Sequence, residues 1–114
     1  MAVTLQGSGT QAASLSTEHT LLDVAVAGVF SLHVDTVNMA AIDVLELRIY
    51  QIVLTAGTRQ VAYLQEFRDA QIADNTIKIS VPIGNDLADA GSLRFTLKQT
   101  AGTGRSFPWK VLRY

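Results

Sequence analysis

The sequence predicts an all-β fold, an antiparallel β-sandwich or jelly-roll-like barrel over residues 18–114, preceded by an extended N-terminal arm over residues 1–17. Three observations predict it. Apolar residues recur with period 2, the spacing of a half-buried strand, in one segment after another. Turn signals separate these segments about every 8–12 residues, the rhythm of sandwiches and barrels. No segment is a convincing long helix.

Asp43–Phe67 is the stretch on which the rest depends. Leu45, Leu47, Ile49 and Val53 share one face, and Glu46, Arg48 and Tyr50 the other. Val44, Ile52 and Leu54 fall on that second face too, so both sides carry apolar groups. After TAGTR (55–59), Val61, Tyr63 and Phe67 alternate with Ala62, Leu64 and Glu66. The expected element is a long two-sided β-hairpin, with Gly57 supplying the permissive φ of a tight reversal. One face covers a core, and the other asks for a second surface.

In chain order, residues 1–17 are Ser, Thr, Gln, Ala and Gly with scattered Val3, Leu5 and Leu15. Such a segment buries little for the entropy of ordering it. It reads as an arm able to add a strand to a neighbour's sheet edge, or as a frayed end. Glu18–Val26 and Phe30–Asp35, separated by Ala27-Gly28, read as a second hairpin. Thr36–Ala41 is a connection. Ile77, Ile79 and Val81 alternate with Lys78 and Ser80, and Pro82 ends that strand. Ile83–Gly91 reads as a surface loop. Ser92–Gln99 is the cleanest strand, with Leu93, Phe95 and Leu97 against Arg94, Thr96 and Lys98. Phe107, Trp109 and Val111 mark the last strand, which Pro108 restricts to an edge or to one free side. The total is seven or eight short strands.

The 114 residues fit one domain. Apolar residues are 48% and charged ones 17%, well under the usual share of about 25%. Few charges and many aliphatics on a small chain point to association. The net charge is −1 and no Lys/Arg block exists, so no nucleic-acid footprint is present. There is no cysteine, which excludes disulfides, thiolate metal sites and cysteine nucleophiles. MAVTLQGSGTQ has neither the basic nor the apolar region of a signal peptide. No apolar run approaches the roughly 20 residues of a membrane-spanning helix.

Each candidate for chemistry has a plainer reading. Ser31, His33 and Asp35 spell a triad, but successive side chains on one strand face lie about 7 Å apart along a line, too far for a nucleophile and its base. His19 and His33, on paired strands of one hairpin, would offer zinc two imidazoles with Glu18 or Asp35, without any motif spacing. Gly102–Ser106 is Gly-rich but lacks the lysine and the helix of a phosphate loop. Asp69/Asp74 and Asp86/Asp89 read as turn formers rather than calcium ligands, and Glu66 with Asp69 suggests a glycosidase pair without a cleft. Neither cofactor nor metal is expected, and no enzymatic activity. Phe107, Trp109 and Tyr114 concentrate aromatic area near Lys110 and Arg113. Trp109 serves a core anchor or an interface hot spot, and both roles are compatible.

Four segments agree in order with a known group. KQTAGTGRSFPWKVL (98–112), STEHTL (16–21), GVFSLHVDTVNMA (28–40), and DVLELRI (43–49) with TRQVAYL (58–64) resemble the small β-rich proteins encoded beside the major capsid gene in tailed-phage genomes. Residues 68–91 depart from the pattern. The resemblance implies a capsid cement or decoration protein, made in the host cytoplasm, located on the virion surface, bound to the major capsid protein and forming a homo-oligomer, with a trimer expected from the habits of capsid-binding proteins. Nucleic acid and membrane are not expected partners. A head–tail or tail component is the nearest alternative, and a carbohydrate-binding β-sandwich module, with an aromatic platform at Tyr50 or Trp109, is a third. From the strand reading, the expected oligomer or capsid contacts are Val3, Leu5, Leu15, Tyr50, Arg59, Arg105, Trp109 and Tyr114.

Overall fold

The structure, a computed structural model, describes residues 2–114. Nine strands follow in order: β1 Thr4–Ala12, β2 Glu18–Val24, β3 Gly28–Asp35, β4 Val44–Gln51, β5 Gln60–Arg68, β6 Ile77–Ile79, β7 Ile83–Asn85, β8 Leu93–Ala101 and β9 Ser106–Arg113. A 3-10 turn at Ala73–Asn75 precedes β6. The strands form two antiparallel sheets. Sheet A runs β1-β9-β3-β6, with β7 also pairing β3, and sheet B runs β2-β8-β4-β5. The fold is the expected all-β sandwich.

The pairings are nested. β4 pairs β5, β3 pairs β6 and β7, β2 pairs β8, and β1 pairs β9. With the three-residue β7 set aside, this is the order of a long hairpin rolled into two sheets, a jelly roll. The β4–β5 hairpin, read from the sequence as the organising stretch, is the tip of that roll.

Alternation decides what each strand buries. Phe30, Leu32 and Val34 of β3, Leu45, Leu47 and Ile49 of β4, Leu93, Phe95 and Leu97 of β8, and Phe107 and Val111 of β9 are buried in one core. Each buried aliphatic or aromatic side chain contributes roughly 1.5–3 kcal/mol relative to exposure. Each of these residues lies on the face that the alternation groups it with, but Val53, read with Leu45, Leu47 and Ile49, is exposed beyond the end of β4, and Val44 and Ile52, read on the other face, are buried.

Four expectations change. The N-terminal segment is not a free arm ahead of a sandwich, because residues 4–12 are β1, hydrogen-bonded to β9 of the same chain over Thr4–Ala12. Its ordering is offset by a full ladder and by glycines on its inward side. A Cβ on Gly7 would lie 3.1 Å from Leu22, and one on Gly9 3.3 Å from the indole Nε1 of Trp109. β1 thus lies close over side chains that β2 and β9 supply. Second, β2 and β3 are not a hairpin. They sit in different sheets, and the Ala27-Gly28 turn carries the chain across the sandwich. Third, Ile83–Gly91 is not all loop, since β7 opens it.

The fourth change is in β6. Ile77 and Ile79 pair with Asp35 and His33 on the outer face, while Lys78 points inward. The alternation is as read, but its phase is inverted. Ser80 fixes it: buried, its hydroxyl accepts from Leu32 N–H at 2.9 Å and donates to Val81 O at 3.0 Å. Lys78 Nζ sits 5.2 Å over the Phe67 ring and donates to Asn75 O at 2.7 Å.

Two turn details also differ. The positive φ in the β4–β5 connection belongs to Ala56 (63°), not to Gly57. Gly57 is required by a close approach instead, since a Cβ there would come within 2.8 Å of Leu54 O. Pro108 tolerates an interior strand because β3 pairs β9 only from Trp109 to Arg113, leaving one side of Pro108 free.

Candidate functional site

The two outer faces of the sandwich differ in chemistry. On sheet B, the exposed aliphatics Val61 and Leu64 of β5 lie opposite the core among polar side chains, which are Glu18 and Thr20 of β2, Arg94, Thr96 and Lys98 of β8, Glu46, Arg48 and Tyr50 of β4, and Glu66 and Arg68 of β5. The polar groups are knitted together. Arg48 pairs with Glu46 at 3.2 Å, Arg68 with Glu66 at 2.7 Å, and Arg94 holds Asp23 through two hydrogen bonds of 2.7 and 3.0 Å. Glu18 Oε2 accepts from the Tyr50 hydroxyl at 2.6 Å and from the Thr96 hydroxyl at 2.7 Å. Burial pushes the Glu18 carboxyl up, but those two donors, with Arg48 and Lys98 nearby, hold it below the ordinary glutamate value. Arg48 Nε is the one buried side-chain polar atom without a partner among the described residues.

A shallow depression of about 540 Å³ opens on this face, lined by Glu18, Thr20, Tyr50, Thr58, Arg59, Arg94 and Thr96. It brings together two expected contact residues, Tyr50 and Arg59. Arg59 reaches only Gly91 O, at 3.4 Å. Tyr50 is half-buried with its hydroxyl engaged, so it forms no open aromatic platform.

Sheet A turns aliphatic groups outward. Leu5 on β1, Val29 on β3, and Ile77 and Ile79 on β6 are exposed, as is Val81 just after β6. Leu112 of β9 and Tyr114 join them, the Tyr114 hydroxyl lying 2.8 Å from Ser31 Oγ. A groove of about 470 Å³ crosses this face over His33, Ser8 and Lys110, with Leu5, Pro108 and Ile77 at its sides. The four ion pairs of the described residues all lie elsewhere, three on sheet B and one at a loop.

The expected contact residues do not form one patch. Val3, Leu5 and Tyr114 lie on or beside sheet A's outer face, and Leu15 is exposed in the β1–β2 turn. Trp109 faces inward, half-buried against the core. Arg105 is held by Asp43 at 2.8 Å. Sequence reasoning missed Ile77 and Ile79, since period 2 alone assigns aliphatics to the inside. The buried serine two residues on from Lys78 is the only signal of the reversed phase.

Ser31 and His33 do come within hydrogen-bond reach, Oγ to Nε2 3.0 Å, closer than straight-strand spacing allows, because both side chains lean along the strand. No triad results. Ser31 is buried, its hydroxyl is shared with Tyr114, and Asp35 instead accepts from Val37 N–H at 3.0 Å. His19 and His33 lie in different sheets, and His19 accepts from Ser14 N–H at 3.1 Å. Asp69 and Asp89 tie loops, accepting from Ile42 N–H at 2.8 Å and Ala56 N–H at 2.9 Å. Among the described residues no three His, Cys, Asp or Glu side chains converge on a metal position, and no helix is long and apolar enough to cross a membrane. No protein-family model matches the chain, and no match to a curated protein or a solved structure was found.

Proposed function

We propose that the chain is a structural virion protein, a cement or decoration subunit that binds the outside of a phage head and stabilises it, with the major capsid protein as partner. The observation that carries this reading is the contrast between the sheets. The outer face of sheet B carries three ion pairs beside exposed Val61 and Leu64, whereas that of sheet A carries exposed Leu5, Val29, Ile77 and Ile79 and, among the described residues, no ion pair. Exposed aliphatic side chains gathered on one sheet face mark a surface that another protein covers. The resemblance of residues 16–64 and 98–112 to capsid-adjacent phage proteins supports the same reading. In this arrangement sheet A lies on the shell and sheet B faces solvent. A head–tail component would use the same face against a different ring of subunits.

The experiment is co-sedimentation with heads assembled from the capsid protein encoded beside it. Wild type should bind in stoichiometric amount and raise the heads' resistance to heat. Ile77→Lys/Ile79→Lys should fold and fail to bind, while Glu46→Ala on the other sheet should bind normally. Wild type that stays in the supernatant would refute the reading. The sheet B depression favours a second reading, a glycan-binding module, because jelly rolls serve lectins as well as capsids. Binding to immobilised glycans that Arg59→Ala abolishes would support that reading over the first.

A further inference from the structure

We propose that the free edge of β1 pairs antiparallel with β1 of a second copy, joining two copies of sheet A into one continuous sheet across a two-fold axis near Ser8.

The two sheets end in four edges, β1 and β6 (with β7) in sheet A and β2 and β5 in sheet B. An edge strand presents unpaired N–H and C=O groups that template pairing with another chain, and folded proteins blunt such edges with short strands, charges, prolines or bulges. β6 is three residues long with Lys78 turned inward. β5 carries Glu66 and Arg68. β2 carries Glu18, His19 and Asp23, with a bulge between Thr20 and Leu22. β1 has no comparable protection. It is nine residues long, TLQGSGTQA, with neither charge nor proline. Its one irregularity falls between Leu5 and Gly7, leaving Gly7–Ala12 in regular register with β9.

The composition of β1 also fits a copy of itself. Across a two-fold axis at Ser8 the pairing is reciprocal: Ser8 meets Ser8 of the second copy, and Thr4 meets its Ala12 as Ala12 meets its Thr4. A strand of one charge sign would repel itself there, and β1 has no charge to repel. β5 is the only other nine-residue edge, but a β1–β5 contact is heterologous. It leaves one β1 and one β5 unpaired at the ends unless a ring closes. The β1–β1 contact closes at two copies, a dimer in place of the trimer expected from the resemblance. Its axis stands perpendicular to the sheet, so the outer faces of both copies, with their Leu5, Ile77 and Ile79 side chains, lie on the same side.

This contact does not depend on what covers sheet A, so its failure and the failure of the capsid reading are separate results. The full chain has no cysteine, which allows clean cross-linking. Sedimentation at micromolar concentration should give twice the 12.3 kDa chain mass. Ser8→Cys should form a disulfide-linked dimer under mild oxidation, while Ala62→Cys on β5 should not. Ser8→Arg, with an unchanged circular dichroism spectrum, should weaken the dimer by about tenfold or more through opposed like charges. A wild-type monomer or trimer, cross-linking at Ala62→Cys in place of Ser8→Cys, or a dimer indifferent to Ser8→Arg would each overturn the proposal. Should Ser8→Arg fail to fold, the cysteine pair decides alone.

Discussion

The Arg105 guanidinium donates to the Asp43 carboxylate at 2.8 Å across 62 positions of chain. Asp43 is wholly buried and also accepts from Ala40 N–H at 2.9 Å and Thr103 N–H at 3.1 Å. One carboxylate therefore fastens the connection before β4 to the β8–β9 turn. Gly102 is part of the joint, with φ 88° and room for no Cβ, which would fall 2.7 Å from Asp43 Cα.

Arg105→Ala should cost about 2–4 kcal/mol, because it leaves a buried carboxylate short of its cation. Burial pushes the Asp43 carboxyl up, but the Ala40 N–H, Arg105 and the Thr103 N–H together hold it below the ordinary aspartate value. A depressed folded value adds stability that is fully present above the unfolded value of about 4 and lost as pH falls through the folded one. Urea unfolding between pH 7 and pH 2 should show this acid loss, and Asp43→Asn should remove part of it.

Trp109 packs over Gly9, so Gly9→Ala should cost about 1 kcal/mol as the indole is displaced. Deleting residues 2–12 strips the ladder from β9 and uncovers the same ring, a loss of several kcal/mol. The chain has one tryptophan, so its emission reports both changes during urea unfolding. A deletion variant as stable as wild type would mean that β1 only rests on the sheet.

Tyr50 and Tyr63 should ionise late. Burial raises the Tyr50 phenol first, the Glu18 acceptor adds to that, and Arg48 opposes it, while burial alone raises Tyr63. Raised folded values give stability that is present below the ordinary value of about 10 and lost as pH rises through the folded ones. Ultraviolet titration of Tyr50→Phe should lose a late-ionising component, at a stability cost of about 1 kcal/mol at neutral pH.

His33 should stay neutral below the ordinary histidine value, since burial disfavours its charge and Lys110 repels it. The unfolded chain then binds the proton first. The His33 contribution is present above about pH 6.5 and declines as pH falls below it. Proton NMR of the ring should place its midpoint below that of a free imidazole, and Lys110→Ala should raise it.

The inward residues of β3, β4, β8 and β9 were legible because both phase and period are written in unbroken alternation, as in Leu93, Phe95 and Leu97. The β4–β5 hairpin was legible for the same reason. β1 was not, because its inward residues are Gly7 and Gly9, which carry no hydrophobic signal. Their meaning appears only once Leu22 and Trp109 are in place. The crossing of β2 to the other sheet was hidden because a Gly-containing turn looks the same whether it returns a strand beside its neighbour or carries it across a core. The outward Ile77 and Ile79 were hidden because the phase of a three-residue strand is set by one hydroxyl, Ser80, and not by its own pattern.

The nested pairing has a consequence for the time course of synthesis. β9 lies between β1 and β3, yet it follows every other strand along the chain. While a ribosome holds residues 106–113, sheet A exists only as β3 with its short partners, and β1 has no ladder to join. Of the nine strands, the first made waits for the last. Folding therefore completes after β9 has left the exit tunnel, and closing that long loop makes the last step intrinsically slow.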